Sequence, residues 1–335
     1  MKPKISIIIP TYNRENYLEE TIESVFAQKY ENYEVIVSDN ASTDNTTQVI
    51  QKYLKNEKFR YYKNEINIGM VKNWHKALHE YSAGEWFLIL SDDDYFIDND
   101  YLVNAVKLMQ ENKEIHLIYA NGYMKYEETG EIVPLELPFD KINDGKKIFL
   151  SRGTVKPQDF TLCNILFKKE EALKFHPFEN EFNVGCDSEL FLFLCLSGKI
   201  GIIFDKVSVY RVHSGSLGTQ VMYSWKMFIN IHEYFLKPYT YAKEMQFLSK
   251  KELEMFQYNM MVPYFRNKLL YVRQFMKYKE NEYLQYIDMV DPGLLNKINE
   301  SLLFRMKLLL IQFPLLYKNL QRIQKKIINL LRKER

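Results

Sequence analysis

The sequence predicts an α/β fold, with a mostly parallel sheet flanked by helices and a helical C-terminal region. In the first third of the 335 residues, short runs of β-branched apolar residues alternate with stretches of helical apolar spacing. Such alternation implies parallel strands joined by crossover helices. From about residue 226 the sequence is aromatic-rich and helical in pattern, with prolines that punctuate it. We therefore expect two regions, residues 1–225 and 226–335.

The strands are predicted from the apolar runs in chain order. The first run, ISIIIP, is apolar at nearly every position, as expected for a strand buried on both faces. The predicted strands of the first third are Ile5 to Pro10, Tyr33 to Asp39, Phe59 to Asn64, Glu85 to Leu90 and Ile115 to Ala120. Between them the spacing predicts helices over 15–28, from Ser42 or Thr43 onward, over 69–81 and over 101–111.

Residues 121–235 are less regular. Three short strands are predicted in NILFKK, GIIFDK and VSVYRV, together with a helix over about 188–196. This segment lies between the alternating first third and the helical C-terminal region, so we assign it to the first domain.

Composition excludes several classes of protein. The formal net charge is only +2, so no overall field favours nucleic acid, and we expect no nucleic-acid partner. Three cysteines without close spacing do not form a disulfide framework, which favours a cytoplasmic setting. The apolar run at the N-terminus is too short for a signal peptide, and no window of about 18 residues is apolar enough to span a membrane. Homo-oligomerisation is left open.

Polar residues follow three of the predicted strands. Thr11, Tyr12 and Asn13 follow Pro10, Asp39 and Asn40 end the second strand, and Asp92 to Asp94 end the strand in LILSDDDYF. In open α/β sheets, ligands bind beyond the carboxyl ends of the strands. Tyr12 can stack on a base, and the Asp39 carboxylate can accept a hydrogen bond from the imide N–H of a pyrimidine. In isolation, however, Asn13 and Asp39 could simply be caps of the helices that follow.

The three consecutive aspartates carry the strongest signal. No Lys or Arg within Leu88 to Asp100 offsets their charge. Carboxylates that converge in a tight turn select a hard divalent cation, Mg²⁺ or Mn²⁺. Such an ion would neutralise a nucleotide diphosphate and stabilise it as a leaving group. The alternative is an acidic loop that precedes the helix at Tyr101.

Four ordered motifs give the chain a family resemblance. The stretches ISIIIPTYNRENYLEETIESVFAQ, YEVIVSDNASTDNT, NIGMVKNWHKAL and LILSDDDYF together resemble the family 2 glycosyltransferases, over about residues 4–215. The resemblance implies the GT-A nucleotide-sugar-binding (Rossmann-like) fold and an inverting, metal-dependent transfer. The implied donor is a nucleotide diphosphate sugar, UDP-linked, and the implied acceptor is a hydroxyl of a growing lipid-linked or cell-surface glycan.

The resemblance also implies roles for individual residues. Asp93 would be the main ligand of Mn²⁺ or Mg²⁺, because Ser91 replaces the first carboxylate of the family's commoner Asp-x-Asp-Asp turn. Asp94 and His213, the latter in a segment that resembles the family's Tyr-Arg-x-His, are the other predicted metal residues. The predicted nucleotide-sugar-binding residues are Pro10, Thr11, Tyr12, Asn13, Asp39, Asn40, Asn67, Gly69, Lys72, Asp92 and Arg211.

An inverting transfer needs a general base that takes the proton of the acceptor hydroxyl. FNVGCDSELFLFL resembles the family's Glu-Asp pair at the start of a helix, but Cys186 replaces the Glu. Asp187 is therefore the predicted catalytic residue. The alternative is a carboxylate favoured only by the helix dipole.

The last 34 residues are strongly basic. Residues 302–335 contain nine Lys and Arg against a single acid, and beyond Pro314 the apolar residues follow helical spacing. A basic amphipathic helix can lie on an anionic membrane, which would place the protein peripherally on the inner face of the cytoplasmic membrane. Packing on a partner or on its own domain is the alternative.

Two other functions of the protein are considered, a nucleotidyltransferase and a non-catalytic nucleotide- or glycan-binding module.

Overall fold

A computed structural model of the chain describes residues 2–154, 161–215 and 224–300, and the structural statements below concern these residues. The predicted basic helix in 302–335 lies outside them. Among the described residues, ten strands form one sheet. They are β1 (Ile5–Thr11), β2 (Tyr33–Asp39), β3 (Phe59–Lys63), β4 (Trp86–Ile89), β5 (Tyr95–Phe96), β6 (Ile115–Tyr126), β7 (Ile132–Leu135), β8 (Ile142–Asp144), β9 (Ile165–Lys168) and β10 (Lys199–Val212).

The helices of the described residues follow the predicted pattern in the first third of the chain. Those up to residue 249 are α1 (Leu18–Phe26), α2 (Thr46–Gln51), α3 (Met70–Lys76), α4 (Tyr101–Glu111), α5 (Gly145–Ser151), α6 (Lys169–Leu173), α7 (Cys186–Ser197), α8 (Trp225–Asn230) and α9 (Glu233–Glu244). A π-helical turn, Ala77–Tyr81, continues α3. Beyond residue 249 lie α10 (Lys250–Phe256) with the π-helical turn Gln257–Met261, α11 (Val262–Phe275), α12 (Glu280–Val290) and α13 (Leu294–Glu300).

The first four long strands form the parallel half of the sheet, in the order β3-β2-β1-β4. Every residue of β2 is buried, and so is every residue of β1 except Pro10, which is partly buried. This burial explains the continuous apolar runs. The register pairs Thr11 with Asp39, so the two strands end side by side at one edge of the sheet. The neighbouring β4 ends just before the three aspartates.

The other half of the sheet is mixed. Strand β9 pairs antiparallel with both β4 and β6, while β10 runs parallel to β6 and antiparallel to β5. GIIFDK and VSVYRV belong to one bulged strand, β10, instead of two separate strands. Because β5 follows the aspartates directly and pairs with Ser208 and Val209, the end of β10 lies beside the acidic turn.

One predicted helix begins later than its sequence pattern indicated. We expected Ser42 or Thr43 to cap it, but α2 has Asn45 at its N-cap. The reason lies in bonds across the loops. The Asn13 N–H donates to Ser42 Oγ over 2.9 Å, and Asn13 Oδ1 accepts from the Thr43 N–H over 2.8 Å. Both candidate caps are thereby engaged by the loop after β1.

The chain divides into two compact units. The described parts of the first are residues 2–151, 161–215 and 224–249, and those of the second are residues 152–154 and 250–300. Helices α8 and α9 fall in the first unit, whereas the sequence suggested a division after residue 225. Separate functional roles for residues 1–225 and 226–335 stay a prediction. No helix of the described residues is long and apolar enough to cross a bilayer.

Candidate functional site

The carboxyl edge of the parallel strands gathers the predicted residues of the loop after β1. Thr11 is buried, whereas the Tyr12 ring is 43% exposed and free to contact a ligand. Asn13 adopts a left-handed conformation, with φ of 55°. Its cross-loop bonds to Ser42 and Thr43 hold that conformation, which turns the chain from β1 into α1.

Asp39 is fully buried at the end of β2. Its Oδ1 accepts from the Ser42 N–H and its Oδ2 from the Tyr61 hydroxyl, both over 2.7 Å. Lys63 Nζ lies 3.8 Å from Oδ2. A buried carboxylate needs such partners, because its desolvation would otherwise be costly. Each oxygen keeps a further lone pair, so contact with a base remains chemically feasible.

A network of amide side chains fixes the loop before α3. Asn40 Nδ2 donates to Asn67 Oδ1 over 2.9 Å, and Asn67 Oδ1 also accepts from the Gly69 N–H. Asn40 Oδ1 accepts from the Ile68 N–H over 2.9 Å. Gly69 has φ of 87°, a conformation that strongly favours glycine. The predicted residues Asn40, Asn67 and Gly69 therefore lie together, and their polar groups shape the loop.

Lys72 does not face this network. Its Nζ forms an ion pair with Glu181, and both side chains are substantially exposed. The structure therefore ties α3 to the segment before α7 through Lys72. Phosphate binding by this residue stays a prediction, and it would require the pair to separate.

Asp92 connects the acidic turn to the loop after β1. Its Oδ2 accepts from the Tyr12 N–H over 3.2 Å, and its Oδ1 lies 3.7 Å from Arg14 Nε. Burial and the neighbouring Asp93 charge raise the pKa of Asp92 to about 7, against the opposing effects of Thr11, Arg14 and the Tyr12 N–H. The raised pKa of Asp92 and the nearby Arg14 thus offset part of the negative charge of the three aspartates within the protein.

Asp94 points inward. It is fully buried, and its Oδ1 accepts from the Arg211 N–H over 2.8 Å. Burial and the Asp93 charge raise the pKa of this carboxyl well above its usual range. The geometry therefore favours a structural role for Asp94 in the turn over the predicted metal contact.

Asp93 and His213 form the part of the site that fits a divalent cation. His213 Nε2 lies 2.8 Å from Asp93 Oδ2, and both side chains are nearly buried. The Gly215 N–H donates to Nδ1, which places the proton of the neutral ring on Nε2. In the described residues no group of three His, Cys, Asp or Glu side chains is arranged to hold a metal. The protein would thus supply two ligands, and donor oxygens or water the others.

Arg211 is predicted to offset phosphate charge, but its guanidinium is engaged by the protein. Its Nη1 donates to the Asp93 carbonyl over 2.6 Å, its Nε to Glu127 over 3.1 Å, and its Nη2 to Glu20. The side chain is 5% exposed, and the guanidinium lies 4.3 Å from the Tyr95 ring centroid. These contacts indicate a residue that holds the acidic turn in place.

Asp187 lies in the first turn of α7 and is partly buried. The Ser188 N–H donates to its Oδ1 over 2.7 Å. Burial raises the pKa of Tyr210, and the charges of Asp94, Cys163, Asp93 and Asp187 raise it further. Asp187 and two carboxyl groups of the acidic turn are thus all close enough to one phenol of β10 to act on it electrostatically.

Arg14 is a functional candidate that the sequence reasoning missed. Its Nη2 donates to the Gly215 carbonyl over 2.9 Å, and its Nε lies beside Asp92. It thereby links the loops after β1 and β10 across the acidic turn. The available signal was a basic residue four positions after Pro10, in the loop that already contained Tyr12.

The family comparison agrees with this geometry. Residues 6–170 match the model of the family "Glycosyl transferase family 2", which spans the parallel half of the sheet and the acidic turn.

Over residues 6–170 the chain belongs to glycosyl transferase family 2.

Sequence relatives of this family 2 member include glycosyltransferases of bacterial envelopes. The putative colanic acid biosynthesis glycosyl transferase WcaA of Escherichia coli is 27% identical over 242 residues, which cover 70% of this chain and 81% of WcaA. Three uncharacterised glycosyltransferases of Rickettsia species are 28–32% identical, but the chain spans only 21–34% of their length.

Solved structures show that the fold of this family 2 member is that of the GT-A glycosyltransferases. S. aureus TarS 1–349 in complex with UDP-GlcNAc matches with a TM-score of 0.54 and 17% identity, over 88% of this chain and 92% of that one. The mannosyltransferase PcManGT of Pyrobaculum calidifontis, in complex with GDP-Man and Mn²⁺, gives a TM-score of 0.53 and 18% identity, over 96% and 83%.

Proposed function

We propose that this family 2 member is an inverting, metal-dependent glycosyltransferase that moves a sugar from a UDP-sugar to a hydroxyl of a cell-envelope glycan. The observation that carries the proposal is the convergence of two loops on the acidic turn. Tyr12 of the loop after β1 contacts Asp92, and His213 after β10 contacts Asp93. We assign Asp187, at the start of α7, to the same site as part of the proposal, because its charge acts on Tyr210 together with those of Asp93 and Asp94.

The donor would lie across the carboxyl ends of β1 and β2. The exposed Tyr12 ring offers a stacking surface for a base, and Asp39 offers an acceptor for its imide N–H. TarS, which shares the fold, has been solved in complex with UDP-GlcNAc, which supports a UDP-linked donor here. Arg14 would contact the diphosphate in this proposal, because the Arg211 guanidinium is engaged by protein partners.

Asp93 and His213 would hold the metal. Their 2.8 Å contact joins a carboxylate and an imidazole that can bind one ion in place of the shared proton. Because Mg²⁺ prefers oxygen ligands alone, the imidazole favours Mn²⁺. The Mn²⁺ in the PcManGT complex supports this choice. The bound ion would offset the charge of the departing diphosphate.

Asp187 would act as the general base. In a single displacement, the acceptor hydroxyl loses its proton to a carboxylate as its oxygen attacks the anomeric carbon, and the nucleotide diphosphate leaves on the opposite side. The helix dipole at the start of α7 and the Ser188 N–H favour the ionised carboxylate that this role requires.

The acceptor is proposed from sequence relatives. WcaA is described as a colanic acid biosynthesis enzyme, which supports a growing envelope polysaccharide as acceptor. A lipid carrier and a membrane contact through residues 302–335 are part of the same proposal. Sedimentation with anionic liposomes at low salt, and release at high salt, would support that contact, and failure to sediment would refute it.

The direct test is incubation with a panel of nucleotide sugars and Mn²⁺, with and without a chelator. Released UDP that depends on Mn²⁺ supports the proposal. A nucleotidyltransferase would instead release pyrophosphate from a nucleoside triphosphate, and a binding module would release nothing.

The variant that tests the base is Asp187→Asn. It should retain UDP binding and lose transfer by about 100-fold or more, since general-base catalysis contributes at least that. Glu181→Gln is a suitable control, because Glu181 precedes α7, is exposed, and forms an ion pair with the exposed Lys72. Near wild-type turnover of Asp187→Asn would refute the assignment.

A further inference from the structure

Five of the six histidines of the chain lie outside the donor site, and three of them cluster near one segment. His75 in α3 and His79 in its π-helical continuation are four residues apart, a spacing that places both rings on one helix face. Their rings stack with centroids 4.1 Å apart and an interplanar angle of 26°. His176 lies on the segment that faces them.

That facing segment, residues 176–179, brings further oxygen ligands to the pair. His75 Nδ1 lies 3.4 Å from the Pro177 carbonyl oxygen. Glu179 interacts electrostatically with His79, and its Oε1 lies 3.3 Å from His176 Nδ1. The Glu179 side chain is 59% exposed, so it can rotate toward the helix at little cost.

The neutral form of the His79 ring is favoured by its surroundings. Burial lowers the pKa of His79, and the His75 and Lys169 charges lower it further, against the opposing effect of Glu179. Two stacked imidazoles cannot both be protonated without strong repulsion. A neutral imidazole is the form that binds metal ions.

We propose that His75 and His79 form a binding site for a late divalent transition metal, Zn²⁺, Ni²⁺ or Cu²⁺, distinct from the donor site. Two histidines four residues apart on one helix are a known means of chelating such an ion. Among the described residues no three such side chains are already arranged for a metal. The site is therefore a two-histidine chelate, completed by water or by Glu179 after a rotation of its side chain.

The site would have a structural consequence. Lys72 already ties α3 to Glu181, and a metal ion held by His75, His79 and Glu179 would add a second tie to the same segment. This segment leads to α7, which carries Asp187. The proposal does not depend on the proposed transferase activity, because it rests only on these side chains.

The test is a calorimetric titration of the full-length, tag-free protein with Zn²⁺. We expect one Zn²⁺ per chain, and His79→Gln or His75→Gln should weaken binding by about tenfold or more, because loss even of an outer-shell partner costs that much. Electron paramagnetic resonance of bound Cu²⁺ should show two coordinated nitrogens in the wild type and fewer in either variant.

Two controls separate the alternatives. His176→Ala removes an exposed histidine of the same segment, and Asp93→Ala removes the main predicted ligand of the donor site. Both should leave Zn²⁺ affinity within about twofold. Absence of Zn²⁺ binding to the wild type, or wild-type affinity in both His75→Gln and His79→Gln, would overturn the proposal. Loss of Zn²⁺ binding in Asp93→Ala would also overturn it, because the ion would then be in the donor site.

Discussion

Arg211→Met distinguishes a residue that supports the acidic turn from one that binds phosphate. The substitution keeps an apolar stem of similar length but removes the guanidinium. That group donates to the Asp93 carbonyl, to Glu20 and to Glu127, and it lies 4.3 Å from the Tyr95 ring centroid. If these contacts are the main role of Arg211, the variant should have a lower free energy of unfolding and a nearly unchanged KM for the donor.

The expected loss in the free energy of unfolding depends on how exposed each partner of Arg211 is. The charged hydrogen bond to the Asp93 carbonyl contributes about 1.5–3 kcal/mol, and the aromatic contact about 0.5–1 kcal/mol. The pairs with Glu20 and Glu127 add little, because those side chains are 56% and 27% exposed and well screened. We expect a loss of about 3 kcal/mol in the free energy of unfolding, and a decrease in Tm of roughly 6–12 °C.

The assay combines thermal unfolding with the KM for the donor. Arg60→Met is a matched control, since Arg60 is 49% exposed and its Nε lies 3.7 Å from Glu34 Oε2, beyond hydrogen-bond distance. This variant should change the free energy of unfolding by less than about 0.5 kcal/mol. If Arg211→Met keeps the Tm of the wild type while the donor KM rises, the structural role is wrong and the phosphate role predicted from the sequence is right.

Three further predictions follow from the same contacts. Arg14→Ala should raise the donor KM about tenfold with a smaller change in kcat. Arg14→Lys should restore part of the lost donor affinity, because lysine keeps the positive charge but cannot donate two parallel hydrogen bonds as a guanidinium does. Asp93→Ala should abolish the Mn²⁺ dependence of UDP binding measured by calorimetry. Glu34→Gln should destabilise the fold by about 2 kcal/mol at pH 7, because buried Glu34 accepts from Lys4, Ser6 and the Ala83 N–H.

The pH dependence of the Glu34 effect has a defined sign. Burial alone would raise the pKa of Glu34, but the hydrogen bonds from Lys4, Ser6 and Ala83 outweigh it and lower the pKa below 4.5. The stabilisation is therefore present above pH 4.5 and is lost as the pH falls through the lowered pKa of the folded state. Urea unfolding at pH 7 and pH 3 should show a smaller difference between wild type and variant at pH 3. A difference independent of pH would contradict this account.

Each of the other predictions has an outcome that would contradict it. An unchanged donor KM in Arg14→Ala would exclude a role in donor binding. UDP binding that is equally Mn²⁺-dependent in Asp93→Ala would move the metal to other ligands, and His213→Ala would then show whether the imidazole is one of them.

Much of the fold was predictable because it depends on local patterns. The β-branched runs of β1 and β2 are buried almost throughout. In the helix predicted over 15–28, the apolar residues Leu18, Ile22 and Val25 are buried and Phe26 is partly buried. Alternation of such segments favours parallel strands, and parallel strands end together at one edge. The sequence therefore determined that the polar loops after β1, β2 and β4 lie close to one another.

Tertiary structure decided what each polar residue in those loops does. The three aspartates are identical in sequence, yet Asp92 contacts Tyr12, Asp93 contacts His213, and Asp94 is buried against the Arg211 N–H. Their partners lie 80 to 120 positions away in the chain, and burial, which no local pattern records, raises the pKa of Asp92 and of Asp94. The sequence alone determined where charge accumulates, and only long-range packing decided which partner each carboxylate contacts.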